Sequence, residues 1–160
     1  MTNLYQNPDV SRDHNNNTNS KTESNELPTI PKDQQEVIKF DDFYKDIFIE
    51  SSLIGQIDEL TVCENHNDHL NGNVYVKFNS EEAATKARDL FSTRWYNSKP
   101  IYCELSPVVD FRGSTCRQHD SKTCDRGGMC NFMHVKRPSR DLLKTLKLSQ
   151  RKYYQEKKSI

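Results

Sequence analysis

Asn71-Gly72-Asn73-Val74-Tyr75-Val76-Lys77-Phe78 is the stretch on which the reading of the fold turns. Val74, Val76 and Phe78 alternate with Tyr75 and Lys77, and period-two alternation marks a strand with one apolar face. Upstream, Phe40, Phe43, Tyr44, Ile47 and Phe48 recur at i, i+3, i+4, i+7 and i+8 spacing, which predicts an amphipathic helix over roughly 34–52. Gly55 stands as its stop signal. Between helix and strand, Ile57, Leu60, Val62 and Cys63 predict another strand. Downstream, Ser80 is a fitting N-cap, and Glu81 and Glu82 suit the positive end of a helix carrying Ala83, Ala84, Ala87, Leu90 and Phe91. Ile101, Cys103 and Leu105 alternate again and predict a closing strand. A first strand is expected near 27–31, where Pro28 and Pro31 would confine it to a sheet edge.

The resulting order, β-α-β-β-α-β, is the split βαβ arrangement of an α+β fold. RNA-recognition motifs share it, and their third strand reads K/R-G-F/Y-G/A-F-V-x-F/Y. In 71–78 the apolar positions Val74, Val76 and Phe78 fit, whereas Asn71 replaces the basic residue and Asn73 stands where a stacking aromatic would be. Only Tyr75 is left to stack a base, and such sheets hold RNA by stacking two or three. An RRM-like body of this kind is expected to bind protein instead.

Charge divides the chain. Residues 1–110 carry 10 Lys+Arg against 19 Asp+Glu, a net of −9, and residues 111–160 carry 13 against 4, a net of +9. An acidic body suits a basic protein segment, and a basic carboxy-terminal third suits a polyanion. Mean hydropathy of −0.94 means that part of the chain buries little. Residues 11–26 hold no large apolar side chain, so a disordered tail is expected over 1–26, followed by the RRM-like domain at 27–110. A finger is expected at 111–136 and a basic helix or tail at 137–160. There, Ser139 is a candidate cap for a helix over 140–157 carrying Leu142, Leu143, Leu146 and Tyr153. There is no transmembrane run, and no membrane partner is expected.

The finger rests on Cys116, Cys124, Cys130 and His134, spaced C-x7-C-x5-C-x3-H. Three thiolates and one imidazole complete a tetrahedral Zn2+ site and leave no open position for a substrate, so the metal is read as structural. His119, three residues after Cys116, is the competing imidazole. Cys63 and Cys103 are read as small buried hydrophobes. Five cysteines without an apolar amino-terminal signal segment fit a reduced compartment. The closed metal site, and the lack of a deaminase-type H-x-E with P-C-x-x-C, argue against an enzyme and a small-molecule substrate. The competing reading is a protein-interaction scaffold whose finger is only structural.

Four stretches carry a family resemblance: 68–78, DHLNGNVYVKF; 94–96, RWY; 104–112, ELSPVVDFR; and 126–134, RGGMCNFMH. With them the chain resembles the small subunits of the U2 auxiliary factor, the splicing heterodimer that helps define the 3′ splice site. The resemblance implies that the body is a U2AF homology motif, which binds a tryptophan-bearing peptide of the large subunit. In the family's Arg-x-Phe motif the matching residues are Arg94 and Tyr96. The guanidinium and the ring would flank the ligand indole, and Trp95 would point outward as an interface anchor. Asp41, Asp42, Asp46 and Glu50 would meet basic residues of the ligand.

The resemblance also makes the finger the RNA contact, at an element ending in AG. Phe132 would stack a base, and Arg112, Arg117, Gln118 and Arg126 would contact phosphates or bases. The family carries two C-C-C-H fingers, of which the second is matched here, and Leu4-Tyr5-Gln6-Asn7-Pro8 resembles the segment that follows the first. Neither the arginine/serine-rich nor the glycine-rich extension of the family is matched. Lys136-Arg137-Pro138-Ser139-Arg140 is a weak nuclear-import candidate, in keeping with the nuclear location that the family implies.

Overall fold

In chain order the elements are α1 (Lys32–Ile54), β1 (Ile57–Cys63), β2 (Val74–Phe78), α2 (Glu81–Phe91), β3 (Trp95–Tyr96), β4 (Lys99–Pro100), α3 (Phe111–Ser114), α4 (Arg117–Asp120), a 3-10 turn (Gly127–Met129), β5 (Val135–Lys136) and α5 (Arg140–Lys158). This computed structural model describes residues 1–8 and 30–159. The alternation at 74–78 becomes β2, antiparallel to β1, with Leu60 opposite Val76 and Val62 opposite Val74. β5 pairs with the other edge of β1, giving the sheet order β2-β1-β5, and β3 and β4 form a separate hairpin. The protein is thus mixed α and β, with small antiparallel sheets.

The apolar face of α1 supplies Phe40, Phe43, Tyr44, Ile47 and Phe48 to a core completed by Ile57, Leu60, Val62 and Val74. Gly55 ends α1 as expected, its N–H donating to Ser51 O at 3.2 Å. Ser80 caps α2, its hydroxyl accepting from the Ala83 N–H. Ala87 and Phe91 of α2 pack on Ile101 in a neighbouring cluster.

The expected disordered tail does not begin at residue 1. Met1 exchanges two hydrogen bonds with Val74, its N donating to Val74 O at 2.9 Å and its O accepting from Val74 N at 2.8 Å. Thr2 N donates to Tyr102 O at 3.0 Å, and Leu4 N and Tyr5 N both donate to Gly72 O. The Tyr5 ring is buried 5.2 Å from Phe40 and 5.1 Å from Phe43. Burial of this ring, with backbone pairing to both sides, offsets the ordering entropy that a polar tail could not. Gly72 makes the approach possible. Its φ is +67°, and a Cβ there would lie 2.1 Å from Tyr5 O.

Three other expectations need correction. The first strand expected at 27–31 falls largely outside the described residues, as does 11–26, and Ile30 and Pro31 are not strand. Ile101–Leu105 forms no strand; Thr2 N supplies a hydrogen bond to Tyr102 O, but no strand ladder is completed. α5 spans nearly the expected residues, but the Ser139 side chain does not cap it; instead Ser139 N donates to Asp41 Oδ1 at 2.9 Å.

Leu142, Leu143 and Leu146 seat α5 against the core. Gln150 of α5 pairs with the sheet edge: its Oε1 accepts from Ile57 N and its Nε2 donates to Ile57 O, both at 2.9 Å. Tyr154 Oη donates to Ser52 O at 2.6 Å and fixes the far end of the helix.

Candidate functional site

Short-range geometry gathers the four expected metal ligands. Cys116 precedes α4, Cys124 follows it, Cys130 closes the 3-10 turn, and His134 leads into β5. Hydrogen bonds from Cys116 N to Met133 O (2.9 Å) and from Met133 N to Ser114 O (2.8 Å) tie the two ends of the finger together. The four ligand atoms lie within 4.8 Å of one another, near the roughly 3.5–3.8 Å edge of a tetrahedron with thiolate and imidazole bond lengths. His134 Nε2 is buried without a hydrogen-bond partner, the state expected of a nitrogen whose partner is a metal. Burial holds the His134 pKa below its ordinary value, favouring the neutral imidazole that ligates. The backbone hydrogen bond from Arg126 pulls the Cys124 thiol down, whereas burial pushes Cys130 up. The residues therefore fit a bound metal ion.

His119, the competing imidazole, is committed elsewhere. Its Nε2 lies 2.8 Å from Glu64 Oε1, and its ring stacks on His134 at 3.9 Å and 11°.

The loop after β1 holds the finger, a feature that sequence reasoning missed. Asn65 is fully buried; its Nδ2 donates to Cys130 O (3.1 Å) and Phe132 O (2.9 Å), and its Oδ1 accepts from His134 N (2.8 Å). Asn67 Nδ2 donates to Cys130 O at 2.6 Å, and the His66 and Asn67 N–H groups converge on Gly128 O. The backbone of two metal-ligand residues is thus gripped by side chains of the body. The only sequence signal was a cluster of asparagines in an otherwise ordinary loop.

Three of the expected RNA-binding residues come together on the finger. Phe132 is exposed, Arg126 lies over its ring at 5.8 Å, and Arg126 Nη2 donates to Gln118 Oε1 at 3.1 Å. Arg117 and Arg112 are exposed on α4 and α3. Tyr75, the one candidate ring on the sheet, packs edge-on against Phe111 at 6.0 Å.

The expected groove residues only partly converge. Arg94 Nη1 lies 2.7 Å from Glu50 Oε2, and Tyr96 Oη donates to Asp46 Oδ2 at 3.3 Å. The Tyr96 ring meets Phe43 edge-on at 5.6 Å, and burial, then Asp46, raises its pKa. Asp46, Glu50, Arg94, Trp95 and Tyr96 line a cavity of about 40 Å³ between α1 and the β3–β4 hairpin. Trp95 is 68% exposed. Asp42 instead pairs with Lys45 at 2.9 Å, and Asp41 is turned to Ser139.

No family model matches the chain. It is 56% identical over 115 residues to "Splicing factor U2AF 23 kDa subunit" of Schizosaccharomyces pombe, which covers 72% of this chain and 53% of that protein. It is 41% identical over 147 residues to "Splicing factor U2af 38 kDa subunit" of Drosophila melanogaster, covering 91% of this chain and 53% of the relative. The chain belongs to the U2AF small-subunit family. A Candida albicans protein named "Transcriptional regulator of yeast form adherence 2" is also similar, at 48% identity over 136 residues, covering 83% of this chain and 36% of that protein. The chain therefore spans about half the length, or less, of these relatives. The Cys/His cluster and the Arg94-Trp95-Tyr96 hairpin are the two sites to be explained within the U2AF small-subunit family.

Proposed function

We propose that this chain is a nuclear pre-mRNA splicing subunit that pairs with a large subunit through its body and contacts 3′ splice-site RNA through its finger. The observation that carries this reading is the 56% identity to the S. pombe splicing subunit. The body is taken as an RRM-like U2AF homology motif in which Met1–Tyr5 stands for the strand beside β2, bonded to it at Val74, and the segment after Ile101 for the strand beyond that one, bonded to Thr2 at Tyr102. The ion is taken as zinc, because three thiolates and an imidazole at tetrahedral spacing suit Zn2+ and leave it no catalytic position.

In this reading a ligand indole enters between α1 and the β3–β4 hairpin, against Arg94 and Tyr96, while the exposed Trp95 points outward as an anchor for the partner. A cavity of about 40 Å³ holds little more than one water, so the site opens to receive it. Opening separates Arg94 from Glu50, both about half exposed, and such pairs contribute only about 0–1 kcal/mol. Glu50 then stands free to meet basic ligand residues, with Asp46, bonded to Tyr96 Oη, one helical turn away. On the finger, Phe132 is an exposed ring held by a rigid frame, as base stacking requires, and Arg126, Gln118, Arg117 and Arg112 surround it or lie nearby. Tyr75 is partly buried and packed edge-on against Phe111, which supports RNA binding by the finger over binding by the sheet.

The test is fluorescence anisotropy of labelled RNAs ending in UUAG or UUAC, with zinc-loaded protein and saturating large-subunit peptide at one fixed salt concentration. A preference for UUAG is expected, and Phe132→Ala should weaken it by about 1–3 kcal/mol, the range for one base stack. Equal binding of both RNAs, or an unchanged Phe132→Ala variant with fold and metal retained, leaves the scaffold reading in place instead.

A further inference from the structure

Two holds on His134 lead back to one residue, Glu64, which directly follows β1. The first is immediate: the Glu64 N–H donates to His134 O at 2.8 Å. The second passes through His119. Glu64 Oε1 lies 2.8 Å from His119 Nε2, and the His119 ring lies on the His134 ring with centroids 3.9 Å apart and planes 11° from parallel. A carboxylate oxygen only accepts, so His119 Nε2 carries the hydrogen. The circuit therefore closes, from the Glu64 backbone to the His134 backbone, through the two imidazole rings, and back to the Glu64 side chain.

This circuit removes a freedom that the ligand histidine would otherwise keep. The backbone of His134 is fixed at its C=O by Glu64 and at its N–H by Asn65 Oδ1, which leaves rotation about the side-chain bonds. The second side-chain torsion of an imidazole is broad, without a sharp rotamer, and Nε2 of His134 is buried with no hydrogen bond to aim it. A flat ring lying parallel at 3.9 Å blocks that rotation on its side. Glu64 fixes the blocking ring in turn, and Lys136 Nζ lies 3.8 Å from the other Glu64 oxygen.

We propose that His119 is a positioning residue for the metal site: held by Glu64, it sets the plane of the His134 imidazole so that Nε2 meets an ion bound by Cys116, Cys124 and Cys130. Removing a group that orients a ligand commonly lowers metal affinity by about 10–100-fold. The inference rests on the reading of the four-residue cluster as a metal site and is independent of RNA binding.

The test titrates Co2+ into the full chain freed of metal, against a competing chelator, with visible and NMR spectra recorded on the same samples. The parent should give a tetrahedral spectrum. His119→Ala should weaken Co2+ binding by about tenfold and move the paramagnetically shifted ring N–H signal of His134, which reports the orientation of the imidazole. His119→Phe keeps a flat ring in the stack but cannot ligate, and it should recover most of the affinity. Glu64→Ala should weaken binding too, and adding it to His119→Ala should cost little more, because both act through one contact. Full affinity in His119→Ala, an unmoved His134 signal, a His119→Phe variant as weak as His119→Ala, or losses that add in full overturns the proposal alone. A parent chain that binds no Co2+ overturns the metal reading and the proposal together.

Discussion

Replacing Asn65 by alanine removes the contact on which the junction of finger and body depends. Asn65 makes three hydrogen bonds, to Cys130 O, Phe132 O and His134 N, and is wholly buried. Cys130 O keeps a second donor in Asn67, but the His134 N–H and the Phe132 carbonyl lose their partners. An unsatisfied buried polar group costs about 1–3 kcal/mol, so two cost about 2–6 kcal/mol. A water entering the space left by the amide would lower this, since the site is polar. The expected loss is therefore about 2–4 kcal/mol. It should be localised, because a metal held by Cys116, Cys124, Cys130 and His134 would still tie the finger to itself while the finger loosens from β1. The assay combines chemical denaturation with hydrogen exchange of the His134 amide in the metal-loaded protein. Exchange at His134 should accelerate by more than that of amides in α1. A variant within about 0.5 kcal/mol of the parent, with His134 exchange unchanged, refutes the claim that Asn65 holds the finger.

Three further outcomes follow from the same geometry. Gly128→Ala would set a Cβ 2.4 Å from His66 Cγ and should cost about 1–3 kcal/mol as an overpacked contact; a double-mutant cycle with His66→Ala should recover most of it. Chelation should release the finger from a metal-dependent fold while α1 and α2 persist by NMR, and Co2+ in place of the native ion should give a tetrahedral absorption spectrum; an octahedral spectrum would contradict the Cys116, Cys124, Cys130 and His134 ligand set. Burial raises Tyr44 from 10.0 and Cys63 from 9.0, each to about 12. Since the folded state holds these protons more tightly, their contributions are full below pH 9 and decline as pH climbs toward 12. Tyr44→Phe should flatten the tyrosine part of that alkaline decline in thermal melts taken across this range.

The helices and the central hairpin were legible because their signals are local. α1 and α2 carry their periodicity, stop and cap within about twenty residues, and the β1–β2 pair carries its alternation within a few. Met1–Tyr5 was not legible. Leu4 and Tyr5 are too few to show a period, and the partners of the segment, Gly72, Val74 and Tyr102, are distant in sequence. A short alternating run at 101–105 looked like a strand because apolar spacing reports which face is buried and not whether a ladder is completed. The cluster of Cys116, Cys124, Cys130 and His134 was readable from spacing, which already favoured His134 over His119; the contact that occupies His119, with Glu64 on another element, was not. Asp41 looked like part of an acidic face until its carboxylate was found on Ser139 N. Asn65 gave no warning beyond its place in a cluster of asparagines, since nothing in a polar loop announces that its amide will be buried.

A glutamine amide is a peptide group carried on a stalk, and at Ile57 Gln150 uses it as one. By occupying both the N–H and the C=O of that residue, α5 does what another strand would do and ends the sheet without extending it. The helix is therefore a terminator as well as a packing element. Peeling it back would bare the N–H and C=O of Ile57 at the edge of β1. Gln150→Leu, which keeps the helix and removes only the surrogate peptide group, separates those two roles.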